Sequence, residues 1–198
     1  MSSIRLCPGS CLGQAERPES ETRRKVIKVA GIAIAAPLAL AGNLAHARPV
    51  AGDRLVEEDA EGTPPVPLRV SDLRPGKPLL AFPFDAAKGV VRSDSRLNKV
   101  VLMRFTEAEM TAKIKPHAAG GVVAYSAICT HQNCDVKTWL SKEQALVCFC
   151  HASKFMLLDG ATVSSGPATR ALPYLPLSLE GDLLVVAGPF SAAPGGTA

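Results

Sequence analysis

Across 198 residues the chain is 47% apolar and 20% charged, too hydrophobic for wholesale disorder and large enough for one domain with an appendage. A net charge of +4 falls short of the concentrated basic surface that nucleic-acid binding requires, and six cysteines are too sparse for a disulfide-dense miniprotein. What those cysteines do depends on where they fall.

The amino-terminal 22 residues are polar. They lead into Thr22-Arg23-Arg24-Lys25-Val26-Ile27-Lys28, an apolar run from Val29 to Ala41 broken by Pro37, and Ala45-His46-Ala47 before Arg48. The run is far shorter than the roughly 20 residues that cross a bilayer as a helix. Paired arginines, a modest apolar run and a small-residue cleavage pattern predict a twin-arginine signal peptide over 1–47. The expected location is periplasmic, reached by export of the folded chain, with membrane contact only if the signal is retained as an anchor. Such a compartment lets disulfides persist. Cleavage removes Cys7, Cys11 and His46, leaving four cysteines, three histidines, and 16 basic against 15 acidic side chains.

Residues 48–65 are rich in Pro and Gly and carry the acidic cluster Glu57-Glu58-Asp59-Ala60-Glu61, so they read as a linker. Residues 66–190 read as the folded domain and 191–198 as a tail. Short apolar runs bounded by turn formers predict strands over Pro78–Phe84, Lys99–Phe105, Gly121–Ile128, Ala145–Phe149, Leu175–Leu179 and Leu183–Ala187. Only Glu107–Lys115 reads as a helix, with no breaker before Pro116. No internal repeat, heptad pattern or Gly-rich phosphate loop is present. The expected class is all-β, with antiparallel strands.

The four remaining cysteines lie in two short segments, Cys129-Thr130-His131-Gln132-Asn133-Cys134 and Cys148-Phe149-Cys150-His151-Ala152-Ser153. Each follows an expected strand, so both can be loops at one end of a sheet. Cys129, His131, Cys148 and His151 give a C-x-H box and a C-x2-H box, the two-thiolate, two-imidazole set of a Rieske [2Fe–2S] centre. Cys134 and Cys150 remain as an even pair whose bridging would lock the loops together. Two alternatives stand beside this. Cys2His2 is also a zinc set, although zinc fingers pair like with like along the chain, whereas here each box supplies one of each. A fully disulfide-bonded chain would pair Cys129 with Cys148 and leave His131 and His151 without a role.

The two boxes and their extra cysteine pair resemble the disulfide-containing branch of the Rieske iron–sulfur family, which includes the iron–sulfur subunit of cytochrome bc complexes and the small subunit of arsenite oxidase. The resemblance runs from about Val66 to Pro189. It implies a Rieske-type antiparallel β-sandwich with a cluster-binding subdomain formed by two loops, and one [2Fe–2S] cluster per subunit. Gly166-Pro167-Ala168 is similar to the third loop that covers the cluster, and Ser153 to a hydroxyl that hydrogen-bonds a cluster sulfur. Phe149 replaces a usual Pro. Ala152 replaces a frequent Gly, which puts a Gly-favouring backbone conformation in doubt. Phe155 stands where bc-type relatives carry a Tyr whose hydroxyl reaches a ligand-cysteine sulfur, so a lower potential than theirs is expected. His117 and Trp139 lie outside the motif and read as packing residues.

With two imidazoles in place of two thiolates the oxidised cluster is formally neutral. It therefore accepts an electron more easily than an all-cysteine cluster, consistent with potentials of roughly −150 to +300 mV against about −400 mV for plant-type ferredoxins. The chain carries no nucleotide loop or nucleophile elbow. The expected function is an electron-transfer subunit of an oxidoreductase complex, not itself catalytic on substrate. The small subunit of arsenite oxidase is the most similar branch, through Phe155 and Gly120-Gly121-Val122-Val123-Ala124-Tyr125-Ser126. It implies a molybdopterin catalytic subunit as electron donor and a soluble carrier such as a c-type cytochrome as acceptor. The alternatives are a quinol-oxidising subunit of a bc-type complex and a zinc-stabilised interaction module without redox activity.

Overall fold

The computed structural model describes residues 48–58 and 64–196; the expected signal peptide lies outside them. Twelve strands are present among the described residues: β1 (Arg54–Glu57), β2 (Leu79–Asp85), β3 (Val90–Val91), β4 (Val100–Arg104), β5 (Val122–Ser126), β6 (Thr138–Leu140), β7 (Ala145–Cys148), β8 (Ser153–Met156), β9 (Thr162–Ser165), β10 (Tyr174–Leu175), β11 (Leu177–Glu180) and β12 (Leu183–Val186). The larger sheet runs β10-β5-β4-β2-β1-β12-β11, with β3 on β2, and the smaller runs β6-β7-β8-β9. Every pairing is antiparallel. The two ends of the larger sheet, β10 and β11, are one stretch of chain broken at Pro176, which has no N–H to donate to a ladder, so the sheet curls back towards itself. The all-β antiparallel expectation holds.

Apolar alternation explains why the central strands look continuously hydrophobic. In β4, Val101 and Met103 enter one core while Val100 and Leu102 enter another; in β5, Val123 and Tyr125 separate from Val122 and Ala124 in the same way. A strand buried on both faces reads as an unbroken apolar run. The first of these cores is shared with the smaller sheet through Leu146 and Phe155, and it also takes in Cys129 and Cys148. The two cysteine boxes are therefore rooted in packed structure.

Two expectations are corrected. Within the stretch read as a linker, residues 54–57 form β1, which lies between β2 and β12. Leu55 and Val56 are buried, and the preceding Asp53 makes a two-pronged ion pair with Arg92 at 2.7 and 2.9 Å. The neighbouring acidic run masked this two-residue apolar signal. The expected helix over Glu107–Lys115 is instead a series of turns ending in a 3-10 turn at Lys115–His117. Side chains here bond outside a helical ladder: Thr106 donates N–H and hydroxyl to nearby Glu109, and the Thr111 hydroxyl bonds the distant Leu158 carbonyl at 2.7 Å. Pro116 then blocks propagation, and nine residues are too few to hold a helix on propensity alone. His117 is buried, stacked on Tyr174 with ring centroids 3.9 Å apart, and Trp139 packs edge-on to Phe105.

Candidate metal centre

The first box is a closed loop. Cys129 N–H donates to the Cys134 carbonyl at 2.8 Å, Asn133 N–H returns to the Cys129 carbonyl at 3.1 Å, and Val136 N–H bonds the Ala127 carbonyl at 2.7 Å. Asn133 takes a left-handed φ of 58°, a conformation that Asn tolerates better than most residues. Asp135 anchors the far end of the loop on Arg96 and Lys99. Burial pushes the Asp135 carboxyl up, but hydrogen bonds and charge from Arg96 and Lys99 outweigh it and hold the group below the ordinary range.

The second box is the tip of a hairpin. Cys148 and Ser153 are directly paired at the ends of β7 and β8, so Phe149–Ala152 form a four-residue connection. Ala152 keeps a left-handed φ of 58°, so the conformation that favours Gly survives without Gly. Phe149 is 73% exposed at this tip. A third loop presses on the hairpin: Ala168 N–H donates to the Ser153 hydroxyl at 3.1 Å, and Gly166 lies flush against the Ser153 backbone. A Cβ on Gly166 would collide with Ser153 Cα and sit 2.7 Å from its N. Pro167 is exposed between these contacts, while Ser153 and Phe155 are buried.

Cys134 and Cys150 form a disulfide with Cα atoms 6.5 Å apart, joining the boxes, while Cys129 and Cys148 are free and buried. The fully disulfide-bonded alternative is thereby removed. The Cys148 sulfur lies within 4.8 Å of both bridge sulfurs, a trio that offers no metal site because two members are covalently paired. His131 and His151 meet edge to face with centroids 4.7 Å apart. Burial raises the Cys129 thiol above its ordinary value, opposed by N–H groups of His131 and Gln132 directed at its sulfur. Those donors are suited to a thiolate. His131 Nδ1 is buried without a hydrogen-bond partner among the described residues. A buried, unpaired ring nitrogen is costly unless it has a ligand, and two free buried thiols stand on adjoining loops. The residues present fit a metal group held by mixed sulfur and nitrogen donors.

The sequence signals missed the contribution of Arg170 and residues 193–196. The Thr130 hydroxyl donates to the Arg170 carbonyl at 2.7 Å, and Gly196 N–H donates to Asn133 Oδ1 at 2.7 Å. The Gly195-Gly196 doublet was the one visible hint of close backbone approach.

Loops projecting from an all-β domain, bridged by a disulfide and bearing two thiols and two imidazoles, define a redox metalloprotein of the iron–sulfur kind. The Rieske [2Fe-2S] domain model matches residues 68–176. The chain is 32% identical over 154 residues to a putative respiratory nitrate reductase Rieske subunit of Haloferax mediterranei, covering 75% of this chain and 64% of that protein. It is 34% identical over 117 residues to the cytochrome bc1 complex Rieske iron-sulfur subunit of Streptomyces lividans, covering 58% of this chain and 69% of that protein. The match thus spans just under two thirds of the Haloferax relative. The soluble domain of Rieske protein II from Sulfolobus acidocaldarius is 23% identical, with a TM-score of 0.37, over 48% of this chain and 66% of that one. The chain belongs to the Rieske [2Fe-2S] domain family, whose cofactor is a [2Fe–2S] cluster.

Proposed function

We propose that Cys129, His131, Cys148 and His151 hold the cluster and that the protein passes single electrons within a larger oxidoreductase complex. The observation that carries the ligand set is the partnerless buried Nδ1 of His131 on a loop bridged to the loop of the free thiol Cys148. The bound cluster supplies one-electron acceptance and release. The chain's own residues do the rest. The core shared by Cys129, Cys148 and Phe155 keeps water from the sulfur side, and the Cys134–Cys150 bridge fixes the loop spacing. His151, exposed beside Phe149, gives a partner access to the imidazole side. Short access of this kind suits electron exchange with a docked protein.

The electron donor we favour is a catalytic subunit of the molybdopterin, arsenite oxidase-like kind, and the acceptor a soluble carrier such as a c-type cytochrome. Support comes from Phe155 and the segment leading into the first box. Export by the twin-arginine route belongs to the same proposal and is supported by Thr22–Lys28. A second reading, a quinol-oxidising subunit of a bc-type complex, is favoured by the relatives that carry that name.

The test is visible absorption, EPR and metal analysis of the oxidised and dithionite-reduced protein. Two irons, two acid-labile sulfides and a rhombic signal on reduction are expected. A colourless, zinc-loaded protein would refute the assignment. Isolation of the native complex separates the two partners: a molybdenum-bearing subunit supports the first reading and a haem b subunit the second.

A further inference from the structure

We propose that residues 193–196, gripped by Arg170 and Asn133, form a latch that positions the His131-bearing loop and so tunes the cluster's reduction potential. The proposal rests on the reading of His131 as a ligand.

Residues 194–196 are packed against the domain: Gly195 is buried and Pro194 and Gly196 are half-buried. Three sets of contacts close a circuit around His131. Upstream, the Thr130 hydroxyl donates to the Arg170 carbonyl at 2.7 Å. The guanidinium of the same Arg170 donates to the Ala193 carbonyl at 2.8 Å and to the Gly195 carbonyl. Downstream, Gly196 N–H donates to Asn133 Oδ1 at 2.7 Å. The ligand therefore sits between two residues tied to one unit, and the residue after Asn133 is the disulfide cysteine Cys134.

The doublet of glycines is required by this seat. A Cβ on Gly196 would collide with the His131 carbonyl oxygen and stand 3.2 Å from the Thr130 carbonyl oxygen. A Cβ on Gly195 would collide with Asn133 Oδ1 and approach Leu97 at 3.3 Å. The tail thus covers the backbone of the ligand residue itself and keeps water from it. Reduction adds a negative charge to the centre, and water stabilises the more highly charged state. Opening the latch is expected to raise the potential and to loosen the geometry of the His131 ligand.

Three variants test it on the full, cluster-loaded protein. A chain ending at Pro194 removes the Gly195 acceptor and the Gly196 donor. Asn133→Gly removes the side-chain acceptor while tolerating the left-handed φ. Gly196→Ala drives a methyl group into the His131 carbonyl. Each is expected to raise the potential and shift the EPR g-values of the reduced cluster in the same sense. Combining Asn133→Gly with truncation should add nothing further. Amide exchange at Asn133, whose N–H bonds the Cys129 carbonyl, should quicken roughly fivefold to tenfold in the truncated chain, the equivalent of one hydrogen bond. Unchanged potential and g-values in the truncated chain and in Asn133→Gly overturn the latch, whatever Gly196→Ala does. An intact chain without a [2Fe–2S] signature would remove the His131 reading and the latch together, whereas an unchanged signature across the variants removes the latch alone.

Discussion

The third loop offers a sharp test of how the cluster loops are held. Gly166 has a φ of +88°, and an added Cβ would strike Ser153 Cα while lying 2.7 Å from Ser153 N and 2.9 Å from the Ala152 carbonyl oxygen. These atoms are backbone at the root of the second box and cannot rotate away. Forcing an L-residue into the left-handed region costs about 1–2 kcal/mol, and overpacking against a fixed neighbour costs about 1–3 kcal/mol more. Gly166→Ala should therefore destabilise by about 2–5 kcal/mol, a large part of the roughly 5–15 kcal/mol typical of a domain. In thermal scans of the loaded protein at one scan rate this corresponds to a fall of roughly 5–20 °C in Tm. The Ser153–Ala168 contact should be lost with it, because the loop must lift for the methyl group to fit. Ala152→Gly is the internal control. It relieves a left-handed Ala at φ 58° in the adjoining hairpin and should raise stability by up to about 1 kcal/mol. A Gly166→Ala protein within about 0.5 kcal/mol of the parent, the range of ordinary surface substitutions, would refute the flush packing of the third loop on the second box.

Three other outcomes follow from the site. Phe155 is fully buried in the core that holds Cys129 and Cys148, so Phe155→Tyr should raise the potential by roughly 40 mV if its hydroxyl bonds a ligand sulfur with about 1 kcal/mol of preference for the reduced state. An unchanged potential with lower stability, measured by redox titration and thermal scan, would count against that contact. The lowered Asp135 carboxyl adds stability that is fully present above about pH 4, its unfolded range, and is lost as pH falls through its folded value. Asp135→Asn should then flatten the acid-unfolding curve, while an identical pH dependence in both proteins would show the Arg96–Asp135–Lys99 network to be irrelevant there. Phe149→Ser, at a 73% exposed position, should slow electron exchange with the native partner several-fold and leave the potential unaltered in stopped-flow and titration measurements. Equal rates would place the docking contact elsewhere.

Much of the centre was legible in the linear chain because its parts are local. A thiol and an imidazole two or three residues apart already share a loop, so Cys129 with His131 and Cys148 with His151 announce a mixed donor set before any folding is considered. The central strands were legible for a similar reason, since β4 and β5 are buried on both faces and read as apolar runs. Local signals failed where distant partners decide the conformation. Leu55 and Val56 become a strand because β2 and β12 lie on either side, and Asp53 is buried because Arg92 meets it from 39 residues away. The turns after Thr106 replace a helix because side-chain hydrogen bonds and Pro116 outweigh propensity. Ala152 holds its left-handed backbone because paired strands and the third loop enforce it, something residue identity alone argues against. The sequence by itself determined which thiols and imidazoles form the proposed donor set, because ligand chemistry belongs to side chains. Tertiary structure decided that the two boxes face each other, that the third loop lies on Ser153, and that Gly196 reaches His131. Those contacts join residues separated by 15 to 63 positions, and no short window of sequence contains both partners.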